Sequence, residues 1–169
     1  ITYYERFLQR FPTVFDLAKA STDEVLGLWS GLGYYSRARN LHRCAQQVVT
    51  DFGGEFPADS LTLAQLSGIG PSTAAAIASI CHRERVAILD GNVQRVLARH
   101  EAFEGDLSVA ASIRSLRELA QLRLPPSRDM PIYTQAIMDL GATVCTPRQP
   151  RCGDCPVRSE EHTSELQSH

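Results

Sequence analysis

The spacing of apolar positions predicts helices along almost the whole chain. In several segments apolar residues recur every three or four positions, which is the pattern of an amphipathic helix. Glycine or proline separates one such segment from the next. The predicted helices cover residues 3–11, 22–29, 34–52, 61–66, 73–80, 92–100, 109–122 and 130–144. No pair of segments shows a strand-pairing signal, so the predicted fold class is all-α.

One predicted connection carries more information than the others. Residues 66–73 read Leu-Ser-Gly-Ile-Gly-Pro-Ser-Thr and join two helices in a hairpin. Both glycines can adopt positive φ, the isoleucine between them faces inward, and Pro71 suits the first position of a helix. The free amides of Ser72 and Thr73 then form an anion site at a helix N-terminus, which fits a nucleic-acid phosphate. A Gly-x-Gly alone also marks a plain tight connection between helices.

Composition and charge narrow the class of protein. The chain has 169 residues, of which 43% are hydrophobic, enough for one domain with a real core or a domain plus a small appendage. No apolar run approaches membrane-spanning length and no signal peptide is visible. The net charge is −2, so the chain lacks the excess positive charge typical of proteins that bind DNA non-specifically. All of its lysine and arginine residues except Lys19 are arginines. We expect the chain to be a fragment, because it begins at Ile1 within an amphipathic segment.

The last twelve residues differ from the rest. Residues 158–169 are rich in serine, glutamate and histidine and show no apolar period. They contain one arginine and three glutamates, so the remainder has 16 basic and 16 acidic residues and is neutral. We predict a disordered tail here that is foreign to the protein.

Three of the five cysteines cluster near the C-terminus. Cys145, Cys152 and Cys155 have spacings that suit zinc or an iron–sulfur cluster, and both usually need a fourth ligand. The alternative is a reduced surface loop with spare thiols. Cys44 and Cys81 sit singly in helical patterns and are expected to be small buried side chains.

Two further segments could carry chemistry. Asp90 and Asn92 follow a buried apolar run, residues 86–89, that we predict to be extended, and they open a helix. A carboxylate there can stabilise a developing positive charge, but either residue can equally be a simple N-cap. Tyr34 and Arg37 lie at the start of the long helix, where they either stack on bases and pair with phosphate or form an amphipathic edge of the core.

Four segments together resemble a known family. Residues 28–41, 66–74, 88–96 and 138–142, the last leading into Cys145, are similar in order and spacing to the helix-hairpin-helix DNA glycosylases of the endonuclease III superfamily, and within it to the adenine-excising branch. The resemblance covers residues 1–157. It implies a six-helix domain over 1–129 with the helix-hairpin-helix at about 61–80, and a C-terminal helix with an incomplete cysteine loop over 130–157.

The resemblance implies an activity and a role for each candidate residue. The enzyme removes adenine mispaired with 8-oxoguanine or guanine from double-stranded DNA, after turning the base out of the duplex. Asp90 would stabilise the cationic sugar and Asn92 would support the sugar and water. Cys145, Cys152 and Cys155 would ligate a 4Fe–4S cluster. Contacts with DNA are implied for Gly68, Ile69, Gly70, Ser72, Thr73, Tyr34 and Arg37.

Departures from the family pattern set further expectations. Ser72 stands where the strand-cleaving branch has a lysine, which implies base removal without strand cleavage. The family's general-acid glutamate lies upstream of Ile1, and Glu161 stands where the fourth cysteine is expected, so we expect this chain to be impaired. The resemblance also implies a monomer in the bacterial cytoplasm, bound to the nucleoid. A bifunctional glycosylase/lyase and a non-catalytic helical DNA-binding module with a metal-bound tail remain alternatives.

Overall fold

The protein folds into helices grouped in two compact units. The computed structural model describes residues 2–158, with one unit extending to Pro71 and the other starting at Ser72. Within this range all regular structure is helical, which confirms the predicted all-α class. No helix among these residues combines the length and the apolar character needed to cross a bilayer. The domain division that we predicted near residue 129 stays a prediction.

The first unit is built around one long helix. Its core contains Phe11, Leu17, Val25, Ala38 and Ala45, all nearly inaccessible to solvent. The long helix, α4, packs against α2 and α3 and ends at Gly53, whose φ of 64° matches the predicted glycine stop. The helices of this unit are α1 (Thr2–Arg10), α2 (Val14–Lys19), α3 (Thr22–Trp29), α4 (Tyr35–Phe52) and α5 (Ser60–Leu63).

Helix α2 was not predicted from the sequence. Its start is a complete capping box, in which Thr13 Oγ1 accepts from the Asp16 N–H at 3.2 Å and the Thr13 N–H donates to Asp16 Oδ2 at 3.1 Å. Helix α3 begins with a half-formed box, since Ser21 Oγ accepts from the Glu24 N–H at 3.2 Å. A box closed by aspartate rather than by glutamate or glutamine was the signal that could have revealed α2.

The described part of the second unit, which ends at residue 158, contains four helices and a core of its own. Its apolar centre is formed by residues from an extended segment and from α7, α8 and α9, including Leu89, Val93, Leu97, Leu116 and Met130. The helices are α6 (Pro71–His82), which starts on the last residue of the first unit, α7 (Gly91–His100), α8 (Ala110–Leu122) and α9 (Met130–Thr143), with 3₁₀ turns at Ser127–Asp129 and Cys152–Asp154.

The extended segment before α7 is fixed by side chains rather than by a second strand. Gln121 accepts the Ala87 N–H at 3.1 Å and donates to the Arg85 carbonyl at 2.9 Å. Arg85 in turn donates to the carbonyls of Leu124 at 2.8 Å and Pro125 at 3.0 Å. These bonds satisfy backbone groups that a sheet would otherwise satisfy. The prediction of a buried extended link is therefore confirmed. Asp90 directly follows this link and lies at the start of α7.

Two of the predicted features differ from the structure. Cys44 is buried as expected, but Cys81 is exposed because it lies near the end of α6, away from the buried positions of that helix. The first hairpin helix ends at Leu63 and not at residue 66, since i→i+3 bonds such as that from Leu66 N–H to the Leu63 carbonyl replace the helical pattern. The predicted disordered tail lies outside the described residues, apart from Arg158.

A buried hydroxyl pair links α6 to α9 and gives a test of this core. Ser79 and Thr134 are both fully buried, and their hydroxyl oxygens are 2.7 Å apart. We expect Thr134→Val to lower the free energy of unfolding by about 1–3 kcal/mol, because it keeps the shape but leaves the Ser79 hydroxyl unpaired. Adding Ser79→Ala should recover part of that loss in urea denaturation. Equal stability of Thr134→Val and the wild type would contradict this account.

Candidate functional site

Asp90 is held in a fixed orientation at the start of α7. It follows the buried residues 87–89 and is the N-cap of the helix, with Oδ1 accepting the Val93 N–H at 2.8 Å. The N-cap interpretation is therefore confirmed. The cap uses only one oxygen of the carboxylate, because Oδ2 accepts no hydrogen bond from any residue in 2–158. The side chain is half-buried, and the positive end of the helix favours a negative charge there.

Asn92 is tied to the end of α9 through an arginine. Arg95 Nη2 donates to Asn92 Oδ1 at 2.8 Å and to the Gly141 carbonyl at 2.7 Å, while its Nε donates to the Cys145 carbonyl at 2.8 Å. The two helices touch at this point, since a Cβ added to Gly141 would lie 2.8 Å from Asn92 Cβ and 3.1 Å from its carbonyl oxygen. A glycine at 141 is thus required for the close approach of α9 to Asn92.

A second arginine of the same helix holds the first cysteine. Arg99 Nη1 donates to the Thr146 carbonyl at 2.9 Å and lies 3.4 Å from Cys145 Sγ. Arg95 and Arg99 are four residues apart and so share one face of α7. Neither arginine was predicted from the sequence to have a role. Arg95 and Arg99 follow Asn92 at helical spacing, and this was the only signal in the sequence for a shared face. The sequence did not show that this face of α7 contacts the segment containing Cys145.

The three clustered cysteines are free and half-buried. Cys145 follows α9, Cys152 opens the second 3₁₀ turn and Cys155 follows that turn. Their thiols suit an iron–sulfur cluster chemically, yet no three metal-ligating side chains come close enough together within the described part of the chain to hold a metal ion. The expected departure at Glu161 lies outside that part. The donor set therefore fits an iron–sulfur group in kind, but the arrangement does not assemble it.

The hairpin turn has one left-handed glycine. Gly68 has φ of +81°, and a Cβ on it would lie 2.7 Å from Asn40 Cβ of α4, so glycine is needed for both conformation and space. Both glycines were predicted to be able to adopt positive φ, and Gly70 does not adopt it. The amides of Gly68 and Gly70 donate no hydrogen bond within residues 2–158, and Ile69 is half-buried. Exposed, unpaired amides of this kind can bind an anion.

Helix α6 begins at Pro71 as predicted and presents an unusual serine. Ser72 Oγ is buried and has no hydrogen-bond partner in the described structure, whereas Thr73 is exposed. Pro71 lacks an N–H, so the first donors of the helix belong to Ser72 and Thr73. Gly68, Ile69 and Gly70 belong to the first unit, and Ser72 and Thr73 to the second.

An exposed aromatic residue and an arginine lie together at the start of α4. Tyr34 is 80% exposed and has φ of 49°, an unfavourable conformation for a residue with a side chain. The Arg37 guanidinium lies over the Tyr34 ring at 5.4 Å and over the Trp29 ring at 5.9 Å. Trp29 Nε1 donates to the Gly33 carbonyl at 3.1 Å and fixes the preceding loop. Tyr34 and Arg37 are therefore held at the surface, whereas the half-buried Trp29 packs against the core of the first unit.

A cavity in the second unit lies apart from these residues. It has a volume of about 330 Å³ and is lined mostly by apolar side chains of α7 and α9, with Glu101 and Tyr133 among its polar groups. Burial raises the pKa of the Tyr133 hydroxyl, and the negative charge of Glu101 adds to that rise. Neither Asp90 nor any of the three clustered cysteines lines the cavity, so it is not part of the candidate site.

Comparison with known protein families identifies two regions of similarity. Residues 1–122 match the family model described as HhH-GPD superfamily base excision DNA repair protein. Residues 145–159 match the iron–sulfur binding domain of endonuclease III. The first match includes Asp90, Asn92 and the whole hairpin, and the second begins at Cys145.

Curated relatives and solved structures agree with these matches. The chain is 49% identical to an adenine DNA glycosylase of Rattus norvegicus over 94% of its own length and 31% of the relative's. It is 42% identical to that of Mycolicibacterium smegmatis, covering 91% of this chain and 52% of the relative. A thermostable thymine-DNA glycosylase structure gives a TM-score of 0.80 at 26% identity, covering 92% of this chain and 71% of that one. A trapped endonuclease III–DNA covalent intermediate, 21% identical with a TM-score of 0.75 and coverage of 92% and 71%, shares the fold.

Proposed function

Because the chain belongs to the HhH-GPD superfamily of base excision DNA repair proteins, we propose that it removes adenine mispaired with 8-oxoguanine or guanine in double-stranded DNA. The identities of 49% and 42% to adenine DNA glycosylases support this substrate. The observation that carries the proposal is Asp90, a carboxylate fixed at the start of its helix, one oxygen of which accepts no hydrogen bond from residues 2–158. The chain spans about a third to a half of the length of those relatives. We also propose that it works as a monomer in the bacterial cytoplasm.

The proposed reaction is hydrolysis of the N-glycosidic bond. The bond between the sugar C1′ and the adenine nitrogen breaks, water supplies a hydroxyl to C1′, and the remaining proton leaves with adenine. The sugar passes through a cationic state, as in other glycoside hydrolyses. Asp90 would face that cation and stabilise it electrostatically. Asn92, oriented by Arg95, would hold the sugar and the attacking water.

The DNA contacts would be shared between the elements described above. In the first unit, the unpaired amides of Gly68 and Gly70 would bind backbone phosphate. In the second unit, the first amides of α6 would offer a phosphate contact of their own. Tyr34 would stack on a base and Arg37 would approach phosphate or keep the tyrosine ring in place. Such contacts would offset the free energy needed to unstack the target base.

The family match over residues 145–159 supports an iron–sulfur group on the cysteine segment. Cys145, Cys152 and Cys155 would be its thiolate ligands, with Arg99 donating to the sulfur of the first. The group would order the loop that follows α9, and the reaction proposed here has no step that passes through it. Iron and sulfide analysis of the purified chain distinguishes this cluster from zinc.

The serine at position 72 predicts that the protein removes a base without cleaving the strand, and this can be tested directly. With a duplex containing adenine opposite 8-oxoguanine, we expect residues 1–169 to bind and to release adenine slowly or not at all, because the family resemblance implies a general-acid glutamate upstream of Ile1. Extension with the upstream segment of the Mycolicibacterium smegmatis relative should restore release. Neither form should nick the strand or be trapped by borohydride, since a serine hydroxyl cannot form a Schiff base.

The alternatives predict different results in the same assay. Borohydride trapping with strand nicking would favour a bifunctional glycosylase/lyase. Binding of the duplex without adenine release by the extended form would favour a non-catalytic DNA-binding module. A duplex with adenine opposite thymine is the matched control for substrate choice.

A further inference from the structure

The hairpin turn of the first unit rests on the side chains of α4. The Ser67 N–H donates to Gln47 Oε1 at 2.8 Å, and Gly68 lies against Asn40. Gln47 is half-buried, and it bonds to a residue twenty positions away. The neighbouring Gln46 is exposed and instead bonds to His42 of its own helix at 3.3 Å.

The bond from Gln47 fixes the amide of Ser67, which directly precedes the glycine amides that have no acceptor. Ile69 N–H is bonded to the Leu66 carbonyl at 3.1 Å, while the amides of Gly68 and Gly70 remain without acceptors in the described residues. By accepting the Ser67 amide, Gln47 removes a competing donor and holds the peptide plane that leads into Gly68. The conformation with unpaired glycine amides is therefore preset before any anion binds.

Helix α4 also carries the aromatic and cationic pair at its start. Tyr34 and Gln47 are thirteen residues apart, which corresponds to roughly 20 Å along an α-helix. This is the length of about six base pairs of DNA at ~3.4 Å each. One rigid element thus sets the spacing between two candidate DNA contacts of the first unit.

We infer that Gln47 is a positioning residue that holds the hairpin turn in its phosphate-binding conformation through the Ser67 amide. The inference rests on the proposed function, because it assigns Gln47 to the DNA contact of that same site. In this role Gln47 acts through the Ser67 amide and not through a contact of its own with DNA. Its loss should weaken binding without removing an ionic contact.

The test compares two neighbouring glutamines. Gln47→Met keeps the length of the side chain but removes the acceptor, and Gln46→Met is the matched control. We expect Gln47→Met to weaken binding of a fluorescent duplex containing adenine opposite 8-oxoguanine by about three- to tenfold, the factor expected for one net hydrogen bond. Gln46→Met should bind like the wild type. The slope of log Kd against log salt should be equal in all three, since it counts arginine and lysine contacts.

Two further readouts separate positioning from general loss of structure. Exchange of the Ser67 amide with solvent should become about tenfold faster in Gln47→Met but stay slow in Gln47→Glu, which retains an acceptor. The thermal midpoints of the two methionine variants should agree within a few degrees. Wild-type affinity in Gln47→Met, or equal weakening in Gln46→Met, would overturn the inference while leaving the proposed function intact. Failure of the wild type to bind the duplex would overturn both.

Discussion

Asp90→Asn is expected to lower the rate of adenine release by at least about a hundredfold without destabilising the fold. Removing one electrostatic contact to a developing charge typically costs a factor of 10² to 10³. Asparagine caps a helix about as well as aspartate, so the bond to the Val93 N–H survives the substitution. The rate is measured in single-turnover conditions, in the form extended with the upstream segment of a relative.

A second aspartate provides the control for this experiment. Asp106 Oδ1 accepts the Ser108 N–H at 2.8 Å, so this carboxylate also bonds to a nearby backbone amide, although it caps no helix. Asp106→Asn should therefore leave adenine release unchanged. Asp90→Ala should lose the cap as well and unfold about 1 kcal/mol more easily. If Asp90→Asn releases adenine at the wild-type rate, Asp90 is a helix cap and nothing more.

Arg95→Met is expected to lower the free energy of unfolding of the second unit by about 2–4 kcal/mol. The guanidinium bonds to Asn92 Oδ1 and to the carbonyls of Gly141 and Cys145, all at 2.8 Å or less. Methionine fills much of the same space but leaves these acceptors unpaired in a partly buried place, which is among the costly effects of single substitutions. Urea denaturation measures the change.

Two other arginine variants sharpen the test. Arg114 is exposed on α8, and Arg114→Met should change stability by less than about 0.5 kcal/mol. Arg95→Lys should recover only part of the loss, because an ammonium group cannot reproduce the planar fork. In Arg95→Met the amides of residues 141–146 should also exchange faster with solvent. A variant as stable as Arg114→Met would contradict the role given to Arg95.

Local signals in the sequence were enough to predict most helices and the position of the hairpin. The apolar period, Pro71 and Gly53 act within a few residues of the boundary that they determine. One error was local in origin, because helix α2 was missed where its capping box uses Asp16. The other was not local: of the two hairpin glycines only Gly68 is left-handed, and it is also the one that lies against Asn40 of α4.

Asp90 could be selected from the sequence, but its two interpretations could not be separated there. The structure shows that the cap is real and that it occupies only one oxygen, so both roles are compatible. The three cysteines were selected in the same way. Their spacing identifies the ligand type, whereas the described structure does not bring them together.

The sequence by itself determined the all-α fold, the hairpin and the residues with reactive side chains, because these depend on periodicity and on neighbouring residues. Only the tertiary structure decided which side chains support them: Gln47 under the hairpin, Gln121 beside the segment before Asp90, and Arg95 and Arg99 on the cysteine segment. These side chains bond to backbone amides or carbonyls twenty to fifty positions away. Nearly every residue carries such groups, so no pattern in the sequence marks the partner, and packing alone selects it.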